Sequence, residues 1–108
     1  FKENCSDLRN TRVIDIIHEL QSYGVHCLVH APKANPEEAK RLYNLTLVPW
    51  NELKNLNAMV YAVPHKEFTH LTPEDFKPKF SSNPIIIDVK SVLDKQQFQS
   101  AGITLWRL

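Results

Sequence analysis

Glycine is nearly missing from this chain: Gly24 and Gly102 are the only two in 108 residues. That scarcity excludes a flexible glycine-rich linker. Neither G-x-G-x-x-G nor G-x-x-x-x-G-K-S/T occurs, so the chain has no dinucleotide or P-loop fingerprint of its own. Cysteine is scarce as well. Cys5 and Cys27 lack metal-ligand spacing and read as free thiols of a reducing compartment, which points to the cytoplasm. No apolar run approaches the roughly 20 residues that cross a bilayer, and the opening residues carry no signal-peptide pattern. No membrane partner is expected. A large net charge is also absent. At +1 the chain has no global field of the kind that marks a nucleic-acid binder, so any anion site must be local. The five histidines form no cluster of zinc spacing, and none pairs with a carboxylate and a nucleophile.

What is present is ordinary for a soluble globular protein: 43% apolar and 23% charged residues. The length suits one domain, residues 1–108, able to close a single core. Val13, Ile16, Ile17 and Leu20 recur at helical spacing and predict a helix over 10–23, capped by Asp7, Asn10 or Thr11 and stopped by Gly24. A β-rich run covers 25–30. Asn35-Pro36-Glu37-Glu38 opens a helix reaching Leu42 or Tyr43, with a cap, a proline at the first position and acids in the first turn. An edge strand is expected over 45–48, ended by Pro49, then a short helix over 52–55 capped by Asn51. The apolar runs 58–63 and 84–89 read as strands buried on both faces. A helical turn over 65–70 and a helix over 73–80, capped by Thr72, lie between them. A helix over 94–101 with Gly102 at its end and a strand over 103–106 complete the chain. Strands alternating with helices at this spacing give an α/β sandwich around a mostly parallel sheet.

The first twelve residues form a different kind of stretch, dense in charge and poor in apolar groups. A polar segment that runs into a helix N-terminus favours anions, through free backbone N–H groups and the helix dipole. Lys2, Arg9 and Arg12 add formal positive charge there. A solvated segment with ordinary surface charges is the competing reading. Ligands of α/β folds bind beyond the carboxyl ends of the strands. Three groups should gather at that edge: Phe1 to Thr11, Pro64-His65-Lys66, and Lys90-Ser91.

The wording of several stretches is specific. Phe1-Lys2-Glu3-Asn4-Cys5, Asp7-Leu8-Arg9-Asn10-Thr11, Ala62-Val63-Pro64-His65-Lys66-Glu67-Phe68, Ile87-Asp88-Val89-Lys90 with Val92-Leu93-Asp94, and Trp106-Arg107-Leu108 stand in order along the chain. This resembles the C-terminal domain of the UDP-glucose/GDP-mannose dehydrogenase family, over the whole chain. The opening wording is closest to the branch acting on UDP-N-acetylhexosamines. The resemblance implies a three-layer Rossmann-like α/β sandwich with a mostly parallel sheet. It also implies that a strand central to that sheet stands just ahead of Phe1, outside the chain, so that exposed edges would be met by a partner and a homo-oligomer is expected.

The resemblance implies a role in oxidising the C6 alcohol of a UDP-sugar to a carboxylate with NAD, for capsule or O-antigen polysaccharide. Phe1 and Lys2 are then expected at the UDP-sugar. Lys90 stands where relatives keep a basic residue, often Arg, against the UDP portion. Arg9 matches a position that reaches NAD held by a separate N-terminal domain. Each has a plainer alternative: a surface lysine and a terminal Phe, a snorkelling Lys90, and an Arg9 paired with Asp7 or Glu3. Asp88 is expected to pair locally or cap. The family's catalytic thiol sits in a glycine-rich setting that Cys5 lacks, so Cys5 reads as inert and Cys27 as core. Its catalytic cysteine and NAD domain lie outside this chain, which is expected to be inactive alone. The alternative is a stand-alone flavodoxin-like binding or regulatory module such as a receiver, weakened because Asp7 has no adjacent acid.

Overall fold

The computed structural model of this chain describes residues 13–108. The cap candidates Asp7, Asn10 and Thr11 lie outside them. Contacts divide the chain into two compact units, Phe1–Glu52 and Leu53–Leu108.

In the first unit, helix α1 (Val13–Ser22) buries Ile14 and Ile17. It stops at Gly24, whose φ of +82° is open to glycine and strained for other residues. The Gly24 N–H closes the turn on the Gln21 carbonyl at 2.9 Å. Helix α2 (Pro36–Tyr43) starts as its sequence dictates, with Asn35 Oδ1 accepting from the N–H groups of Glu37 (2.8 Å) and Glu38 (3.2 Å). It ends on Asn44 in the left-handed region, φ +57°. Ile14, Ile17, Ala39 and Leu45 form the core of this unit, flanked by Val13, Cys27, Val29, Ala34, Tyr43 and Leu47.

The strands expected over 25–30 and 45–48 are not strands. They meet in one parallel bridge, Val29 with Leu47, and Val48 N–H donates to the Val29 carbonyl at 2.8 Å. β-rich composition favours a half-buried pleated surface, but a strand exists only where a neighbour completes its ladder. Among the described residues Val25 and Leu28 remain exposed. Cys27 is correspondingly half-buried at the margin of the core instead of inside it, and that burial pushes its thiol pKa up. The short helix expected over 52–55 is a 3-10 turn at Trp50–Glu52, closed by Glu52 N–H on the Pro49 carbonyl. The chain then bends at Asn55, φ +57°.

The second unit holds an all-parallel three-stranded sheet in the order β1 (Met59–Tyr61), β2 (Ile85–Asp88), β3 (Thr104–Arg107). Met59, Ile86 and Leu105 stand in one row across it, and Tyr61, Asp88 and Arg107 in the next row of the same face. Helix α3 (Pro73–Phe76) and helix α4 (Lys95–Ser100) supply the two crossovers. Phe76, fully buried, meets Tyr61 at a ring separation of 6.3 Å and Phe98 of α4 at 5.6 Å, so both helices cover this face. Phe68 and Phe80 are half-buried.

The helix expected over 73–80 is α-helical only to Phe76 and tightens into a 3-10 turn over Lys77–Lys79. Pro78 explains this, since it has no N–H for the next α-helical bond. Asp75 accepts from the Thr72 N–H at 2.7 Å and hydroxyl at 3.1 Å, and these bonds hold its carboxyl pKa below the usual range. Helix α4 is capped by Asp94, which accepts from Gln97 N–H, and ends before Gly102 at φ +88°. The opposite face of the sheet carries Val60, Ile87 and Trp106 in a row. Val60 is exposed and Ile87 half-buried, so the runs 58–63 and 84–89 are not buried on both faces as their apolar character implied; Trp106 beside them is 62% exposed. Continuous hydrophobicity records what a face can bury, not whether a layer is there to bury it.

Candidate functional site

The carboxyl edge of the sheet in the second unit gathers two of the three groups expected there. The third, Phe1 to Thr11, with Phe1, Lys2 and Arg9, lies outside the described residues.

After β1 the chain runs through Ala62, Val63 and Pro64 to His65, which is 3% exposed. His65 N–H donates to the Val63 carbonyl, and its own carbonyl accepts from Phe68 N–H, both at 2.9 Å. Its ring meets Phe68 edge-on at 5.9 Å. His65 is therefore built into the turn, while Lys66 beside it is exposed. The fixed φ of Pro64 sets the exit from the strand.

After β2 the chain makes a tight turn that carries Lys90. Asp88, the last residue of the strand, has no exposed surface. Its Oδ2 accepts the Leu93 N–H at 2.8 Å, which ties the far end of the turn back to the strand. Its backbone carbonyl accepts from Ser91 N–H and Leu108 N–H, each at 3.3 Å. Ser91 sits at φ +56°, the bend that reverses the chain. The end of β3 braces this bend from the side. Arg107 Nη2 donates to the Ser91 carbonyl at 2.7 Å, and Ser91 Oγ donates to the Leu108 carbonyl at 2.8 Å. Lys90 is thus an exposed ammonium on a laced turn, and it has no hydrogen-bonding or ionic partner among the described residues.

The local pairing expected of Asp88 is present through Leu93. Three features were not anticipated: the burial of His65, the role of Arg107 as a brace, and Asp88 Oδ1, which is buried and meets no donor among the described residues. The register that places Arg107 beside Asp88 depends on strand pairing, which no local sequence signal encodes. Positive charge at this edge comes from Lys66, Lys90 and Arg107, and the carboxylates of buried Asp88 and half-buried Glu67 stand among them. Such an edge suits a phosphate-bearing ligand. Among the described residues no group of three or more His, Cys, Asp or Glu is placed to hold a metal, and no helix is long and apolar enough to cross a membrane.

Residues 1–95 match the model of the UDP-glucose/GDP-mannose dehydrogenase family, UDP binding domain. The chain is 38% identical over its whole length to Protein CapL of Staphylococcus aureus, of which it covers 25%. It is 35% identical to a UDP-N-acetyl-D-glucosamine 6-dehydrogenase of Salmonella typhi, with 90% of this chain and 23% of that protein aligned. A second UDP-N-acetyl-D-glucosamine 6-dehydrogenase, from Pseudomonas aeruginosa, is 34% identical with the same coverage of 90% and 23%. The chain spans about a quarter of the length of these relatives.

Proposed function

This chain belongs to the UDP-glucose/GDP-mannose dehydrogenase family, and we propose that it is the nucleotide-sugar-binding part of an NAD-dependent UDP-N-acetylhexosamine 6-dehydrogenase. The reaction is oxidation of the sugar C6 alcohol to a carboxylate, in the cytoplasm, for capsule or O-antigen polysaccharide. The observation that carries this reading is Lys90, an exposed ammonium without a partner among the described residues, on a braced turn at the carboxyl end of a parallel strand. A turn held from both sides presents its cation with little freedom left to lose on binding. Lys90 meets a diphosphate oxygen, and Phe1 and Lys2 complete the contacts to the UDP-sugar.

The described residues do not fit NAD. Their two glycines stand behind helices α1 and α4, and neither belongs to a strand–glycine–helix cradle. Arg9 is assigned to a cofactor held by another domain, and the hydride acceptor and catalytic thiol belong to sequence outside this chain. The chain alone is therefore expected to bind but not to catalyse, and the intact enzyme is expected to be a homo-oligomer.

The test is a two-dimensional amide NMR titration of the chain with UDP and then NAD. Shifts at Lys90, Ser91 and residues 1–11 with UDP, and none with NAD, are the expected result. A dispersed spectrum unmoved by UDP defeats the binding assignment. NAD reduction by the chain on addition of UDP-N-acetylglucosamine defeats the assignment of catalysis elsewhere.

A further inference from the structure

Arg107 has more donors than its bracing role uses. A guanidinium carries several N–H groups in a planar fork, yet its only bond among the described residues is Nη2 to the Ser91 carbonyl at 2.7 Å. The side chain is exposed. Asp88 stands beside Arg107 in register, but no ion pair joins them among the described residues: the carboxylate takes Leu93 N–H, and the guanidinium takes a neutral carbonyl. The positive charge is therefore oriented without being paired. Its backbone is held as well. Arg107 lies opposite Asp88 in the strand pairing, Leu108 N–H donates to the Asp88 carbonyl at 3.3 Å, and the Leu108 carbonyl accepts from Ser91 Oγ at 2.8 Å. The residue on which the guanidinium rests follows Lys90 directly, and consecutive Cα atoms lie about 3.8 Å apart. Two cations are thus tied to one laced turn at the carboxyl edge of the sheet, one an ammonium on a long stem and the other a docked fork.

We propose that Arg107 is the second cation of the nucleotide site, its guanidinium and the Lys90 ammonium together holding the diphosphate. This rests on the function proposed above. The two side chains do different work there: a guanidinium meets two oxygens of one phosphate at once, while an ammonium acts as a point charge that follows its flexible stem. The bond to the Ser91 carbonyl occupies Nη2 and leaves the remaining N–H groups of the fork for oxygen acceptors. Binding needs no opening of the turn. Arg107 is exposed where it stands, and the ligand adds to the Ser91 bond without replacing it. Because that bond already orients the fork, little side-chain freedom is left to lose when the phosphate arrives.

The experiment compares the wild-type chain with Arg107→Gln, Lys90→Ala and the double variant. Each is titrated with UDP and with uridine, which lacks the phosphates, and followed by NMR of the backbone amides and the Arg107 side-chain N–H groups. In the wild type, UDP should shift the Arg107 side-chain signal and uridine should not. Arg107→Gln removes the charge and leaves an amide that can still donate. It is expected to weaken UDP binding by about tenfold or more, the scale of one charge-assisted hydrogen bond. That loss should persist in the Lys90→Ala background, as for two separate contacts. An Arg107 signal unmoved by UDP that binds elsewhere on the chain overturns the proposal and leaves the functional reading standing. So does unchanged UDP affinity in Arg107→Gln, or a loss shared equally by uridine. A loss that vanishes in the Lys90→Ala background overturns it too, since Arg107 would then act only by placing Lys90. A wild-type chain that binds no UDP defeats the functional reading itself and takes this proposal with it.

Discussion

Asp88 and Leu93 are joined by one hydrogen bond, Oδ2 to N–H at 2.8 Å, and that bond fixes where Lys90 stands. The bond is local, spanning five residues, but it works because Asp88 is held rigidly at the end of a paired strand. Lys90→Ala should leave the fold alone, since the side chain is exposed and has no partner among the described residues. Its stability should change by no more than about 0.5 kcal/mol. Affinity for UDP should fall by about tenfold or more, the scale of one charge-assisted hydrogen bond. Equal UDP affinity in calorimetry would remove Lys90 from the site.

The bend at Ser91 gives a backbone test of the same turn. At φ +56° a glycine relieves strain and a β-branched residue adds it. Ser91→Gly should be close to neutral, because it also gives up the Oγ bond to Leu108. Ser91→Val loses that bond too and should cost about 1–2 kcal/mol more than the glycine variant. Urea unfolding of both variants checks the order, and equal stabilities would mean the bend is not left-handed.

Much of this turn was legible and its environment was not. Asp88 at a strand end, with Leu93-Asp94 ahead of a helix, reads directly as a local pairing and a cap. Asn35-Pro36 announced helix α2 for the same reason, since caps act over two or three residues. What failed needed a distant neighbour. Val25 to His30 has strand composition, yet its ladder is a single bridge to Leu47. Ile85-Ile86-Ile87 is apolar throughout, yet only Ile86 is fully buried. Arg107 became a brace through register.

Phe76 tests the core that holds the site's sheet in place. It is fully buried between Tyr61 of β1 and Phe98 of α4. Phe76→Ala should cost about 3–5 kcal/mol, from lost transfer energy and the cavity left behind. If α3 and α4 share one face as described, Phe98→Ala should be non-additive with it, because the rings touch. Additive losses in denaturant unfolding would place the two rings in separate environments.

Lys79 makes the pH dependence of this fold testable with a definite sign. It is buried, its Nζ donates to the Leu53 carbonyl at 3.3 Å, and burial lowers its ammonium pKa below the ordinary 10.5. The unfolded chain keeps the ordinary value. Between the two values the unfolded state therefore binds more protons, and stability contributed by this group rises with pH. Below the lowered value the full cost of burying the charge is present. Lys79→Met carries no such charge and has no such slope. Urea unfolding of both chains at rising alkaline pH up to about 10.5 should show the wild type gaining stability relative to Lys79→Met. A difference that stays constant, or shifts toward the variant as pH rises, would mean that Lys79 keeps an ordinary pKa and is not buried as a charge.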